Sequence, residues 1–393
     1  MVEVTPQRIA LVVGTRPEVI KLGPVYQALA ADPRFEPVVI ATAQHRELLD
    51  QMLPLFGMRL AVDLDLMRPG QTLAQVTAGA LTGLQAAFAD LRPDLVLVQG
   101  DTTTVLAGAL AAFYAQIPVG HVEAGLRTGD TRSPFPEEMN RRLTGALADL
   151  HFAATPAARE NLRREGVPPE SIFVTGNTVI DALRAIQRRA PALEETDLAG
   201  LAPEGERLIL VTAHRRENLG EPLRRVCRAL RQIAESYPDV RVVYALHPNP
   251  QVRQVAQEEL GDAERVALIE PPDYPRFVAL MARAYLIVTD SGGVQEEAPA
   301  LGVPTLVVRD TCERPEGLAA GAARLVGTDT ATLVQAAEEL LAGGEAYRRM
   351  RQAPCPYGDG QAAERIRQGM AYYFGWQEAP PAEFIPADAG VRA

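Results

Sequence analysis

Short apolar runs rich in Val, Ile and Leu alternate along this chain with longer stretches whose apolar positions recur every three to four residues. Runs of the first kind at Ile9–Val13, Val38–Thr42, Leu95–Val98, Pro118–Val122 and Ile172–Val174 predict buried strands. The amphipathic stretches Val19–Ala30, Leu73–Ala89 and Val105–Tyr114 predict helices between them. Such alternation predicts parallel sheets covered by helices. The pattern lapses over Arg188–Arg207, where Pro191, Glu194, Glu195, Gly200, Pro203 and Gly205 follow no period. It resumes with Leu208–Thr212, Val240–Ala245, Val266–Ile269, Leu286–Thr289 and Thr305–Val308. The expected fold class is α/β, with two Rossmann-like doubly wound domains facing a cleft. Residues 1–176 and 177–360 are expected to form the two domains, followed by a segment 361–375 and, over 376–393, a loose tail rich in Ala and Pro. In open α/β sheets ligands sit beyond the carboxyl ends of the strands, so the loops after these runs are expected to share a crevice.

Composition agrees with this division and narrows the chemistry. At 393 residues the chain exceeds what one hydrophobic core usually supports, and 47% hydrophobic with 23% charged residues is ordinary globular usage. A net charge of −11 gives no electrostatic reason to approach nucleic acid or an anionic membrane. No apolar run reaches membrane-spanning length and no secretory signal opens the chain, which predicts a cytoplasmic protein. Cys227, Cys312 and Cys355 are odd in number and widely spaced, and the five histidines lack ligand spacing, so neither disulfides nor a metal is expected. Lys21 is the only lysine, which marks it as a place where a compact ammonium matters more than a planar guanidinium.

Four loops carry candidate chemistry. Gly14-Thr15-Arg16-Pro17-Glu18 follows the first strand; Gly14 allows a tight turn, Pro17 suits the first turn of a helix, and Lys21 lies one turn further on. Thr289-Asp290-Ser291-Gly292-Gly293-Val294-Gln295-Glu296-Glu297 also follows a strand, and its glycines allow close backbone approach to phosphate oxygens while Glu297 could accept from a ribose diol. It lacks the Gly-x-Gly-x-x-Gly of a dinucleotide site. Carboxylates gather at strand ends in the first half: Asp101 in Gly100-Asp101-Thr102-Thr103-Thr104, Glu123 in His121-Val122-Glu123-Ala124-Gly125, and Glu137-Glu138 ahead of Arg141. Acids sharing a crevice raise one another's pKa unless basic groups intervene. Asp101 alone also reads as a helix N-cap, whereas Glu123 sits at the end of a buried strand. His214 in Thr212-Ala213-His214-Arg215-Arg216-Glu217-Asn218 is placed to donate to a phosphate or an acid, while His121 and His151 read as satisfying local hydrogen bonds.

Taken together these segments resemble the non-hydrolysing UDP-N-acetylglucosamine 2-epimerases, from about residue 8 to about residue 370. The resemblance also rests on Gln44-His45-Arg46, Gly125-Leu126-Arg127-Thr128, Pro136-Glu137-Glu138, Gly176-Asn177-Thr178 and Glu313-Arg314-Pro315-Glu316. It implies a glycosyltransferase-B type fold whose last helix, near Gln361–Tyr373, crosses back onto the first domain. It further implies interconversion of UDP-GlcNAc and UDP-ManNAc without cofactor or metal, a homodimer, and a UDP-binding second domain. Substrate contacts carried over are Arg16, Lys21, Asp101, Glu123, Arg141, His214, Phe277, Ser291, Gly292, Gly293, Glu297 and Arg314. Asp101, Glu123, Glu137 and His214 are the implied catalytic groups, and Gln44, Gln71, Glu137 and Arg215 match a second UDP-GlcNAc site that activates bacterial relatives. Ala213 stands where relatives often have Gly, and Pro272 where they carry a glutamine near the uracil.

The C2 proton of an N-acetylhexosamine is not acidic, so the implied chemistry expels UDP as the proton leaves, giving 2-acetamidoglucal, and then adds UDP back with a proton on the other face. Two faces call for two acid–base groups. The competing readings are a glycosyltransferase-B type transferase, which needs an open acceptor groove, a hydrolysing 2-epimerase that releases free sugar, and a nucleotide-sugar sensor with no use for three clustered acids.

Overall fold

The computed structural model describes residues 5–42, 51–68, 70–189, 192–312 and 314–387. It divides into two units, Met1–Ala182 with Gly358–Ile385, and Leu183–Tyr357 with Pro386–Ala393. The first holds seven strands: β1 (Gln7–Val13), β2 (Phe35–Ala41), β3 (Leu60–Asp63), β4 (Leu95–Gln99), β5 (Val119–Ala124), β6 (Leu150–Ala153) and β7 (Ile172–Val174). They pair in parallel in the order β3-β2-β1-β4-β5-β6-β7. The second unit holds six: β8 (Arg207–Thr212), β9 (Val240–Ala245), β10 (Val266–Ile269), β11 (Leu286–Thr289), β12 (Thr305–Val307) and β13 (Ala323–Leu325). Their order is β10-β9-β8-β11-β12-β13, again all parallel. Strand order reverses at β1/β4 in one sheet and at β8/β11 in the other, so each unit is doubly wound about its own switch point.

Burial explains why the central strands read so clearly. Every residue of β4 is buried, as are the last five of β1 and of β8, because helices cover both sheet faces. On one face of the first sheet Ala10, Val12, Ile40, Val96 and Val98 pack with Ala80, Leu84 and Phe88 of the helix Leu73–Leu91 and with Val105, Ala109 and Ala112 of the helix Thr103–Tyr114. In the second unit Ile209, Val211, Val242 and Val288 meet Leu223, Val226 and Leu230 of the helix Glu221–Ser236.

Three strands escape the apolar-run reading. β3 is half-exposed at a sheet edge and alternates, β6 carries His151 among its four buried residues, and β13 is a three-residue edge strand. The periodless stretch after Arg188 contains two short 3-10 turns, Leu193–Glu195 and Ala199–Leu201.

A loose tail was expected over 376–393, and the described part of it, 376–387, instead makes fixed contacts after the final helix. The helix Ala362–Tyr373 packs on the helix Arg16–Ala30, and Arg367 pairs with Asp32 at 2.5 Å. Beyond it, Trp376 lies against Phe35 and Phe374, Glu383 pairs with Arg159 at 2.7 Å, and the Phe384 amide donates to the Val174 carbonyl at 2.8 Å. Isolated aromatic anchors hold this segment, and a search for periodicity does not see them.

Candidate functional site

At the switch point of the first unit, β1 turns through Gly14 and Thr15 into the helix Arg16–Ala30, with Pro17 in its first turn. A side chain at position 14 would collide with the Thr104 and Thr42 hydroxyls, so glycine is required here for space. The helix's third residue, Glu18, folds back: its carboxylate accepts from the Gly14 amide at 2.5 Å and the Thr15 amide at 2.9 Å. Its second oxygen accepts from the Thr102 hydroxyl at 2.5 Å, which ties this loop to the one after β4. Burial pushes Glu18 up to about 7, against the opposing pull of those three donors.

Glu123 ends β5 in an unusual backbone. Val122 pairs with Phe152 and Ala124 with Ala153, which leaves Glu123 without a ladder partner at φ 65. A bulge with a non-glycine residue in the left-handed region re-aims a side chain at a cost of about 1–3 kcal/mol. The re-aimed carboxylate meets Lys21, whose Nζ lies 2.8 Å from Oε1 and 2.7 Å from Oε2. Gln99 Nε2 also donates to Oε2, and Asn177 Nδ2 to Oε1 at 3.5 Å. All four side chains are buried.

Next to it, at the end of β4, Asp101 Oδ2 receives two guanidinium nitrogens of Arg141, at 2.9 and 2.7 Å. The N-cap of the following helix is Thr102, which corrects the capping alternative for Asp101 and leaves its carboxyl to Arg141. Arg141 is held from behind by the wholly buried Glu138 at 3.2 Å, whose oxygens also accept from the Thr128 and Gly129 amides at 3.0 and 3.3 Å. Asn140 Nδ2 donates to the Asp101 carbonyl at 2.8 Å. Basic groups therefore do intervene among the expected acids. Glu137, one residue before this clamp, is half-buried and makes no side-chain hydrogen bond or ion pair among the described residues.

His121 and His151 make the local hydrogen bonds expected of them. His121 Nε2 donates to the Gly100 carbonyl at 2.8 Å, and burial drives its pKa down to about 3, so the ring stays neutral. His151 Nε2 lies 2.9 Å from the Gly145 carbonyl.

In the second unit the loop after β8 carries His214 and Arg215, and the loop after β11 carries Asp290, Ser291 and the glycines. Asp290 Oδ2 accepts from the His214 and Arg215 amides, both at 2.8 Å, and from Asn218 Nδ2 at 2.9 Å. His214 stacks on His247 with ring centroids 4.8 Å apart, and burial lowers the pKa of both. The short helix Gly292–Glu297 starts in the same place. A side chain at Gly292 would lie 3.6 Å from Arg215 Nη2 and 3.7 Å from Arg314 Nη2, whereas one at Gly293 would meet nothing within 4 Å. Two guanidinium groups thus converge above an open backbone turn. Arg314 Nε is fixed by the buried Glu296 at 2.5 Å, and Glu297 Oε1 accepts from the Tyr274 hydroxyl at 2.5 Å. Phe277 is half-buried on the helix Tyr274–Arg283, and Pro272 is buried just before that helix.

The structure brings Lys21 to Glu123 and Arg141 to Asp101 in the first unit, with Arg16 opening the helix beside them. It gathers His214, Ser291, Gly292, Gly293 and Arg314 in the second, with Arg215 among them. Gln71 is occupied within its own loop, accepting from the Arg68 amide at 2.7 Å and donating to the Leu66 carbonyl at 3.0 Å. Gln44 and Glu313 lie outside the described residues. Gln99 was not singled out from the sequence, and Glu18, Glu138, Asn177, Glu296 and Asp290 stood inside its motifs without a supporting role assigned to them. Gln99 had a signal: it is the lone polar residue closing the buried run Leu95–Val98, directly before a glycine. Among the described residues, no group of three or more His, Cys, Asp or Glu could hold a metal ion, and no helix is long and apolar enough to cross a membrane.

Residues 27–371 match the family model described as UDP-N-acetylglucosamine 2-epimerase. The UDP-N-acetylglucosamine 2-epimerase of Bacillus subtilis (strain 168) is 50% identical over 377 residues, 96% of this chain and 98% of its own. The Methanocaldococcus jannaschii UDP-GlcNAc 2-epimerase in complex with UDP-GlcNAc and UDP is 34% identical with a TM-score of 0.79, covering 93% of this chain and 100% of that one. The Neisseria meningitidis UDP-GlcNAc 2-epimerase bound to UDP-GlcNAc is 44% identical with a TM-score of 0.87, over 93% of this chain and 100% of that one.

Proposed function

From the premise that this chain belongs to the UDP-N-acetylglucosamine 2-epimerase family, we propose that it interconverts UDP-GlcNAc and UDP-ManNAc without releasing free sugar. One carboxylate removes the proton from C2 while the C1–O bond breaks; the bonding electrons of C2–H form the C1–C2 double bond, and UDP leaves with the electrons of the C1–O bond. The products of this half-reaction are 2-acetamidoglucal and UDP. A proton delivered to the opposite face of C2 and attack of UDP on C1 complete the inversion. The observation that carries this reading is a pair of carboxylates at adjacent strand ends, Asp101 and Glu123, each held by its own cation. Acid–base work on two faces needs such a pair, and a site that only binds a nucleotide sugar does not.

Asp101, Glu123 and Glu137 carry the proton traffic in this proposal. Arg16, Lys21 and Arg141 hold charge beside them. His214, Ser291, Gly292, Gly293, Arg215 and Arg314 receive the negative charge that gathers on departing UDP, where preorganised donors act most strongly. Phe277 and Glu297 take the uridine. The same proposal includes activation by a second UDP-GlcNAc through Gln71, Glu137 and Arg215, and a cytoplasmic role supplying ManNAc-type sugars for cell-surface polysaccharide.

A homodimer belongs to it too. Phe113 and Tyr114 on the helix Thr103–Tyr114, and Met139 and Leu143 on the neighbouring helix Glu137–Leu147, are exposed large apolar side chains. A patch of this kind fits an interface.

The test is incubation with UDP-GlcNAc in D₂O without added cofactor, followed by NMR at C2. Deuterium at C2 together with UDP-ManNAc is the expected result. Free sugar alone, or unchanged substrate, overturns the reading.

A further inference from the structure

The two oxygens of the Asp290 carboxylate are treated very differently. Oδ2 is saturated by the His214 and Arg215 amides and by Asn218 Nδ2. Oδ1 is equally buried, yet has no hydrogen-bond partner among the described residues. A buried carboxylate oxygen that has given up water without gaining a donor is unfavourable, and such an atom calls for an explanation. One donor stands close to it: His214 Nδ1, at 3.8 Å.

The surroundings of the imidazole favour that partnership. Its stacking on His247 at an interplanar angle of 17° restrains tilt and leaves the ring free to slide within its own plane. A slide of about 1 Å brings Nδ1 into hydrogen-bond range. From below, the Tyr244 hydroxyl donates to the Ala213 carbonyl at 2.6 Å and fixes the backbone that carries the ring. The charged and titratable groups facing the imidazole are Asp290, His247, Arg215 and Glu217, and of these Asp290 is the one with no exposed surface.

We propose that Asp290 is the positioning residue for His214: Oδ1 accepts a hydrogen bond from Nδ1–H and so selects the Nδ1–H tautomer, which leaves Nε2 as the ring atom offered to the diphosphate. The same carboxylate then grips this residue twice, by backbone amide through Oδ2 and by ring through Oδ1. When the diphosphate arrives, Nε2 takes up one proton from solvent and donates it in a hydrogen bond to a phosphate oxygen, and Asp290 stabilises the imidazolium so formed. The tautomer assignment stands on geometry alone, while its use on a diphosphate rests on the epimerase reading.

Both parts are tested with the full chain labelled with ¹⁵N-histidine, using His214→Asn to identify the His214 signals among five histidines. The expected wild-type spectrum has His214 protonated at Nδ1 and bare at Nε2. Asp290→Asn keeps an acceptor for the three donors but turns an amide N–H toward the ring, so the tautomer reverses to Nε2–H. With UDP-GlcNAc as substrate, that variant loses at least about tenfold in kcat with little change in KM. A wild-type His214 protonated at Nε2, or a tautomer unmoved by Asp290→Asn, overturns the proposal. The wild-type spectrum needs neither a stable variant nor turnover, so a failure of the epimerase reading leaves the tautomer result legible by itself.

Discussion

Lys21 Nζ lies within 2.8 Å of both carboxylate oxygens of Glu123, and both side chains are almost wholly buried. The pair joins the helix after β1 to the end of β5 through the only lysine in the sequence. Removing one partner of a buried pair leaves the other as an uncompensated charge, a loss of about 3–5 kcal/mol. Lys21→Met is therefore expected to lower the urea midpoint sharply, and Lys21→Met combined with Glu123→Gln to recover most of that loss. A double variant no more stable than Lys21→Met would show that the pair is not coupled.

Glu18 gives the fold a pH signature. Its folded pKa stands at about 7 against an ordinary 4.5, so the folded state binds more protons across that interval than the unfolded chain does. Stability from this group is full below the unfolded value and falls as pH rises through the folded one, by about 3 kcal/mol in total. Glu18→Gln removes that slope. Urea unfolding of both proteins at pH 4.5 and pH 8 checks it, and parallel pH curves would refute the assignment.

Arg314 stands over Gly292 and is braced by Glu296. A guanidinium placed on a diphosphate contributes about 1.5–3 kcal/mol, so Arg314→Ala is expected to weaken UDP binding about 10- to 100-fold in calorimetry. Arg324→Ala is the control, because Arg324 pairs with Glu339 at 2.7 Å on the far edge strand β13. Equal losses from both would mean that general charge, and not the glycine turn, attracts UDP.

The exposed face built by Phe113, Tyr114, Met139 and Leu143 predicts a concentration-dependent dimer. Leu143→Glu should shift sedimentation toward the monomer while leaving circular dichroism unchanged. A wild-type protein that sediments as a monomer at micromolar concentration rules out this interface.

The sequence was most legible where burial is complete. The central strands β1, β4, β8 and β11 stand out because apolar side chains on both faces leave an unbroken run. The edge strands β3 and β13 were missed because one face meets solvent, and the contacts of residues 376–387 went unread because single aromatic anchors carry no period. Glycines and charged groups at strand ends were visible as motifs, including Lys21 by its rarity. The supporting residues Gln99, Glu138, Glu296 and Asp290 were harder. Each acts by holding another residue's side chain or amide, and which residues meet across adjacent strands depends on register, which no single strand carries in its own letters.

The bulge at Glu123 bears on how such a site could be transplanted or redesigned. Its carboxylate reaches Lys21 because β5 gains a residue relative to β6 at that point, so the position of the acid is encoded by two strands jointly. Grafting the segment Val119–Ala124 alone onto another parallel sheet would let the strand regularise, and residue 123 would fall back into the ordinary two-residue alternation. A designer would have to carry β5 and β6 together, and would find the host's tolerance for one left-handed residue a stricter requirement than its tolerance for a glutamate.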